Sequence, residues 1–173
     1  MRIWSAISIA FMPPLFSFYV FLALSFSTGS VWYLIISVIF ASVIQGISLL
    51  LYGRLSKKDV NVELREDRPT LFATANFSYI LGFAALRFLD APFIFSGLMF
   101  AYVCNTGLAA VITKYLTKVS IHTWGIAGPS VAILYSFGAL PFVLGLVIGL
   151  VVGSTRVKLG YHTWGQVDLS FTY

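Results

Sequence analysis

Apolar residues run along this chain in long blocks, and polar residues are collected in a few short segments between them. The first block covers residues 7–26, with Pro13 and Pro14 placed to kink it. Residues 27–30, Ser-Thr-Gly-Ser, read as a tight turn before the second block at 31–52. A charged stretch at 53–69 leads to the blocks 70–86 and 91–112, which flank a short corner at 87–90. A second polar loop occupies 113–122. From Thr123 to Thr155 no residue is charged, and these 33 residues would measure about 50 Å as one helix. A hydrocarbon core of about 30 Å is too thin for that, so Gly138 and Pro141 are expected to divide the run into two short spans. A polar tail at 156–173 follows. The pattern predicts an all-α fold, a polytopic membrane helix bundle of about six transmembrane helices forming a single domain over residues 1–173.

Composition agrees with the pattern. Of 173 residues, 59% are hydrophobic and 10% charged, and the mean hydropathy is +0.92. A soluble domain carries about 25% charged residues, which excludes a soluble enzyme, a nucleic-acid binder and a disordered tail. The net charge of +5, from 11 Lys and Arg against 6 Asp and Glu, is confined to loops. Its partners are therefore lipid headgroups or an anionic substrate, with no nucleic acid. Cys104 is alone in the chain, makes no internal disulfide, and is expected to pack as a small hydrophobe. Arg2 precedes an apolar block longer than the 7–15 residues of a cleaved signal core, so that block reads as the first retained span.

Two crossings separate the first polar loop from the second, and two more separate the second from the tail. An even number of crossings returns the chain to the same side, so all three segments are expected at one membrane face. They carry both histidines of the chain. Lys118-Val-Ser-Ile-His122-Thr-Trp-Gly recurs 40 residues later as Lys158-Leu-Gly-Tyr-His162-Thr-Trp-Gly. If these strings are helical, each lysine shares a face with its histidine. One reading is an interfacial anchor, with Trp124 and Trp164 in the aromatic belt. The other is chemistry, because histidine titrates near neutral pH and two of them can divide nucleophile and general-acid roles. Arg65, Arg68 and Arg156 lie in the same segments, and guanidinium forks match phosphate oxygens in a bidentate way. No cluster of Asp, Glu, His or Cys has metal-ligand spacing.

These residues resemble the type-2 phosphatidic acid phosphatase superfamily of membrane lipid phosphatases, which also contains the vanadium haloperoxidases. Arg68-Pro69 is similar to the end of the family's first motif, and Ser120-Ile-His122 to its second, Ser-Gly-His. Thr155-Arg156, five residues, then His162 resembles its third, with the Arg-to-His spacing intact. The resemblance covers residues 61–166 and implies that His162 attacks phosphorus and His122 protonates the leaving group. It further implies that Arg68 and Arg156 hold the phosphoryl oxygens, that Ser120 adds a hydrogen bond, and that no metal or other cofactor is needed. The family's first-motif lysine is Asn61 here, and Arg65 or Lys118 is expected to replace its charge. Val119 stands where the family has proline. The aspartate that orients the nucleophile falls at Gln166, with Asp168 as the substitute two residues on. Only 11 residues follow His162, where the family continues into a full span. A naturally short chain, a truncated one, and a homo-oligomer whose neighbouring subunit completes the site all stay open.

Ten of the eleven Lys and Arg lie on the motif face, Arg87 being the exception. The positive-inside rule makes that face cytoplasmic in a polytopic protein of the cell membrane. The expected activity is hydrolysis of a lipid or isoprenoid phosphate or diphosphate through a phosphohistidine. The alternative is a non-catalytic relative that binds lipid phosphate or acts as a scaffold. An intramembrane prenyltransferase fits poorly, since Asp59 and Asp67 share one loop and no second acidic cluster exists. A transporter or channel also fits poorly, since no span has a charge near its centre.

Overall fold

The computed structural model describes residues 2–56 and 68–172. These fold as helices joined by short connections, and no strand occurs among them. In chain order the helices are α1 (Arg2–Ala10), α2 (Pro13–Thr28), α3 (Val31–Val38), a π-helical turn (Ile39–Val43), α4 (Ile44–Ser56), α5 (Arg68–Phe88), α6 (Phe93–Tyr115), α7 (Ile121–Phe137), α8 (Ala139–Lys158) and α9 (Trp164–Thr172).

Four helical stretches are long and apolar enough to cross a membrane: Val31–Leu55, Arg68–Phe88, Phe93–Tyr115 and Ala139–Lys158. The pair Ile3–Ala10 and Pro13–Thr28, bent by 52°, makes a fifth if it is one broken span. The expected count of about six is therefore not reached. The shortfall lies in α7, whose 17 residues rise only about 26 Å against a core of about 30 Å.

Local chemistry sets the breaks. Pro13 and Pro14 occupy the first two positions of α2, where a missing N–H costs nothing, and α1 ends just before them. The kink expected there is thus a full break. Gly29 closes α2 with φ 68°, its N–H donating to Ser25 O at 2.8 Å. Gly138, at φ 85°, separates α7 from α8, as its position in the uncharged run predicted.

Packing is dense on the inner faces. Phe21 stacks on Phe95 with ring centroids 6.0 Å apart, and Tyr79 stacks on Tyr102 at 5.2 Å. Polar side chains bond the carbonyls of the π-turn. Ser78 Oγ donates to Phe40 O at 2.7 Å, Gln45 Nε2 to the same oxygen at 3.3 Å, and Ser17 Oγ to Ala41 O at 2.9 Å. The outer faces are apolar and exposed, as lipid contact requires. On α8 the side chains of Leu140, Val143, Leu144, Val147 and Leu150 point outward, while Gly145, Gly149 and Gly153 form the buried stripe.

That stripe seats the neighbouring helices. A Cβ on Gly145 would lie 2.5 Å from Ser130 Oγ of α7. One on Gly149 would lie 2.9 Å from the Phe171 ring of α9, and one on Gly153 would lie 2.5 Å from Val167 Cγ1 of α9. Small residues here let the helix backbones approach closely. Cys104 does not pack inside the bundle as expected. It sits on an exposed position of α6.

Candidate active site

Three helix ends converge at one end of the bundle. Arg68 is the first residue of α5, His122 the second of α7, and Arg156 lies in the last turn of α8. Cations are favoured at a helix C-terminus, which suits Arg156. Both guanidinium groups are turned inward, each residue being 1% exposed. Arg68 Nη1 donates to Val119 O at 2.7 Å, tying the start of α5 to the connection before α7. Arg156 Nη1 donates to Ser8 Oγ of α1 at 3.0 Å, and its guanidinium lies 4.2 Å over the Tyr161 ring.

The spacing between Arg156 and His162 is a helix-ending turn. Tyr161 N–H donates to Arg156 O at 3.0 Å and Gly160 N–H to Val157 O at 3.0 Å, the paired bonds of a Schellman motif. Gly160 takes the left-handed conformation this needs, with φ 77°. The chain doubles back, and His162 comes to line the same cavity as Arg156, within reach of its charge.

His162 is buried, and the structure determines its tautomer. Its Nδ1 is 3.1 Å from Gln166 Oε1, and the Thr163 backbone N–H donates to that same oxygen at 3.2 Å. A backbone N–H only donates, so the atom facing it is the amide oxygen. The other end of the amide, Nε2, donates to Thr117 Oγ1 at 3.4 Å. Nδ1 must therefore carry the proton, and Nε2 keeps the lone pair. Burial holds the His162 pKa down, to about 3 from 6.5, reinforced by Arg68, Lys118 and Arg156 and opposed by the bond to Gln166. The ring is neutral at neutral pH.

Arg68, Arg156, His122 and His162 all line one cavity of about 300 Å³. The cavity continues along the bundle to Tyr79 and Tyr102. Arg68 and Tyr79 are 11 residues apart on α5, so it follows the helix for about 16 Å. Its wall is mainly apolar beyond the charged end, with Leu71, Phe72, Ala75, Ala109 and Pro129. Among the described residues no group of three or more His, Cys, Asp or Glu comes together as metal ligands.

The remaining expected residues among those described lie off the cavity wall. Ser120 does not line the cavity. It is the N-cap of α7, its Oγ accepting from the Thr123 N–H at 3.5 Å and pairing with Thr123 Oγ1 at 3.0 Å. Lys118 also stays off the wall, although its charge reaches His162. Asp168 is exposed, and Gln166 is the residue bonded to His162. Arg65, with Asn61, Asp59 and Asp67, lies outside the described residues. The helical premise for the Lys–His pairs fails: Lys118 precedes α7, and His162 lies between α8 and α9.

Sequence reasoning missed Ser8, Thr117 and Tyr161, whose contacts arise only when distant segments meet. The interfacial-anchor reading does not hold for Trp124, whose ring is buried and lines the cavity. Comparison of the chain with models of known protein families, with curated proteins and with solved structures finds no match.

Proposed function

We propose that this protein is a membrane lipid phosphatase that hydrolyses a lipid or isoprenoid phosphate or diphosphate through a phosphohistidine at His162. The observation that supports this reading best is the convergence of two histidines and two buried arginines on one cavity whose far wall is apolar. Arg68 and Arg156 bind the phosphoryl oxygens, and the lipid chain lies along the apolar wall. His162 Nε2 forms a bond to phosphorus as the bond from phosphorus to the leaving oxygen breaks. His122, in its protonated form once the anion is bound, gives that oxygen a proton. Water then attacks phosphorus as its bond to His162 Nε2 breaks, returning a proton to His122, releasing inorganic phosphate and restoring the His162 lone pair. The guanidinium groups stabilise the charge on the equatorial oxygens, so the scheme calls on no metal or cofactor.

The same reading makes α7 a sixth, short crossing, which places every motif residue on one face of a polytopic protein of the cell membrane. The excess of Lys and Arg on that face makes it cytoplasmic. The test is phosphate release from a panel of prenyl, acyl and glycerolipid phosphates and diphosphates, with EDTA present, by wild type, His122→Ala and His162→Ala. Wild type is expected to release phosphate and His162→Ala none. Release that is unchanged in His162→Ala contradicts the proposal.

A second reading is a non-catalytic protein that binds lipid phosphate. Gln166 favours it, because an amide bonded to His162 cannot stabilise an imidazolium by charge. Retained lipid-phosphate binding without turnover selects this reading.

A further inference from the structure

Ser8 lies far from every motif in sequence, yet it lines the cavity and touches Arg156. It is 3% exposed, and its Oγ accepts from Arg156 Nη1 at 3.0 Å. Helical serines in membrane spans commonly donate to the carbonyl four residues back. Ser48, Ser130 and Ser154 do so here, at 2.8, 2.7 and 2.8 Å. Ser8 makes no such bond, and its O–H meets no acceptor among the described residues. A buried hydroxyl with an unused proton beside a guanidinium is arranged to donate to an anion.

The serine expected to serve the phosphate is committed elsewhere. The Ser120 hydroxyl caps α7, its carbonyl accepts from Ser170 Oγ at 3.3 Å, and the residue is fully buried off the cavity wall.

We infer that Ser8, on α1, is the hydroxyl of the phosphate-binding site, accepting from Arg156 while donating its proton to a phosphoryl oxygen. This rests on the proposed phosphate site and adds α1 to it. The short helix before the Pro13–Pro14 break then has a function: it closes the charged end of the cavity against α8. Lys158 Nζ, 4.0 Å over the Trp4 ring, holds the same two helices together outside the site.

Orthovanadate, an analogue of the transferring phosphoryl group, tests this in the purified full chain in detergent, by calorimetric titration together with thermal melting. Ser8→Ala is expected to weaken vanadate binding by about ten- to a hundredfold, as loss of a hydrogen bond to a charged group does. Ser8→Thr keeps the hydroxyl and is expected to bind within about twofold of wild type, and both variants melt near the wild-type temperature. Ser120→Ala is expected to melt lower, through loss of a cap, with vanadate affinity unchanged. Unchanged affinity in Ser8→Ala, or weakened affinity in Ser120→Ala, overturns the inference. Wild-type protein that binds vanadate but releases no phosphate from lipids overturns the phosphatase reading alone. Wild-type protein that does not bind vanadate overturns both.

Discussion

His162 and Gln166 are joined by a 3.1 Å bond between Nδ1 and Oε1, and the backbone N–H of Thr163 fixes which end of the amide faces the ring. One side chain thereby sets both the tautomer and the orientation of the imidazole. Gln166 is itself held from the other side by Thr117, in the connection before α7. The three links join α9, the loop before it and the loop before α7 into one support for His162.

Gln166→Leu removes the support while keeping a side chain of similar bulk. Loss of one buried hydrogen bond corresponds to about 1–3 kcal/mol, or roughly ten- to a hundredfold in rate. Steady-state kinetics are expected to show that fall in kcat with KM little changed. Gln166→Glu keeps the acceptor and adds a charge able to stabilise an imidazolium, so its kcat is expected to equal or exceed that of wild type. Equal rates for wild type and Gln166→Leu would remove Gln166 from the site.

The depressed pKa of His162 has a consequence for acid stability. The folded protein keeps this ring neutral down to about pH 3, whereas the unfolded chain takes up its proton near pH 6.5. Between those values the unfolded state binds more protons, so stability is lost as pH falls through the window. Above pH 6.5 the ring is neutral in both states and contributes no slope. The melting temperature of wild type in detergent is expected to drop on acidification from pH 6.5, and that of His162→Asn to drop less. Parallel curves for the two proteins would refute this.

The seating of α9 on α8 is a packing constraint with a functional reach. Gly153→Val places a side chain where Val167 already stands, 2.5 Å from the new Cβ. Overpacking of this kind costs about 1–3 kcal/mol. Because Gln166 rides on α9, turnover is expected to fall together with the melting temperature. Gly165→Ala, on the same helix with nothing within 4 Å of the new Cβ, is expected to change neither. A Gly153→Val protein with wild-type melting and turnover would contradict this seating.

Much of the architecture was legible because bilayer physics writes it in blocks. Uncharged runs mark the long helices, and Gly138 and the Pro13–Pro14 pair mark the breaks. The span count was less legible, because the expected break at Gly138 leaves α7 only 17 residues, short of a full crossing. In the candidate site, Arg156 and His162 are close because Gly160 permits a left-handed turn between them, and their short separation was visible in the sequence. The repeated His-Thr-Trp-Gly string was misleading in one respect. It opens α7 in the first copy but bridges into α9 in the second, so Trp124 is buried at 7% exposure and Trp164 is exposed at 53%. Ser120 was assigned to the phosphate by its place in a motif, but its hydroxyl caps α7, accepting from the Thr123 N–H. Ser8 carried no local signal, since its contact joins residues 148 positions apart.

The central claim is a covalent bond between phosphorus and His162, and acid-labile, alkali-stable labelling measures it most directly. Wild-type protein mixed with a lipid phosphate carrying radioactive phosphorus is quenched in alkali within one turnover, and the labelled residue is located by peptide mapping. The predicted result is label on His162, absent from His162→Ala and formed more slowly in His122→Ala. Turnover by wild type without label on His162, or label that survives in His162→Ala, would contradict the account.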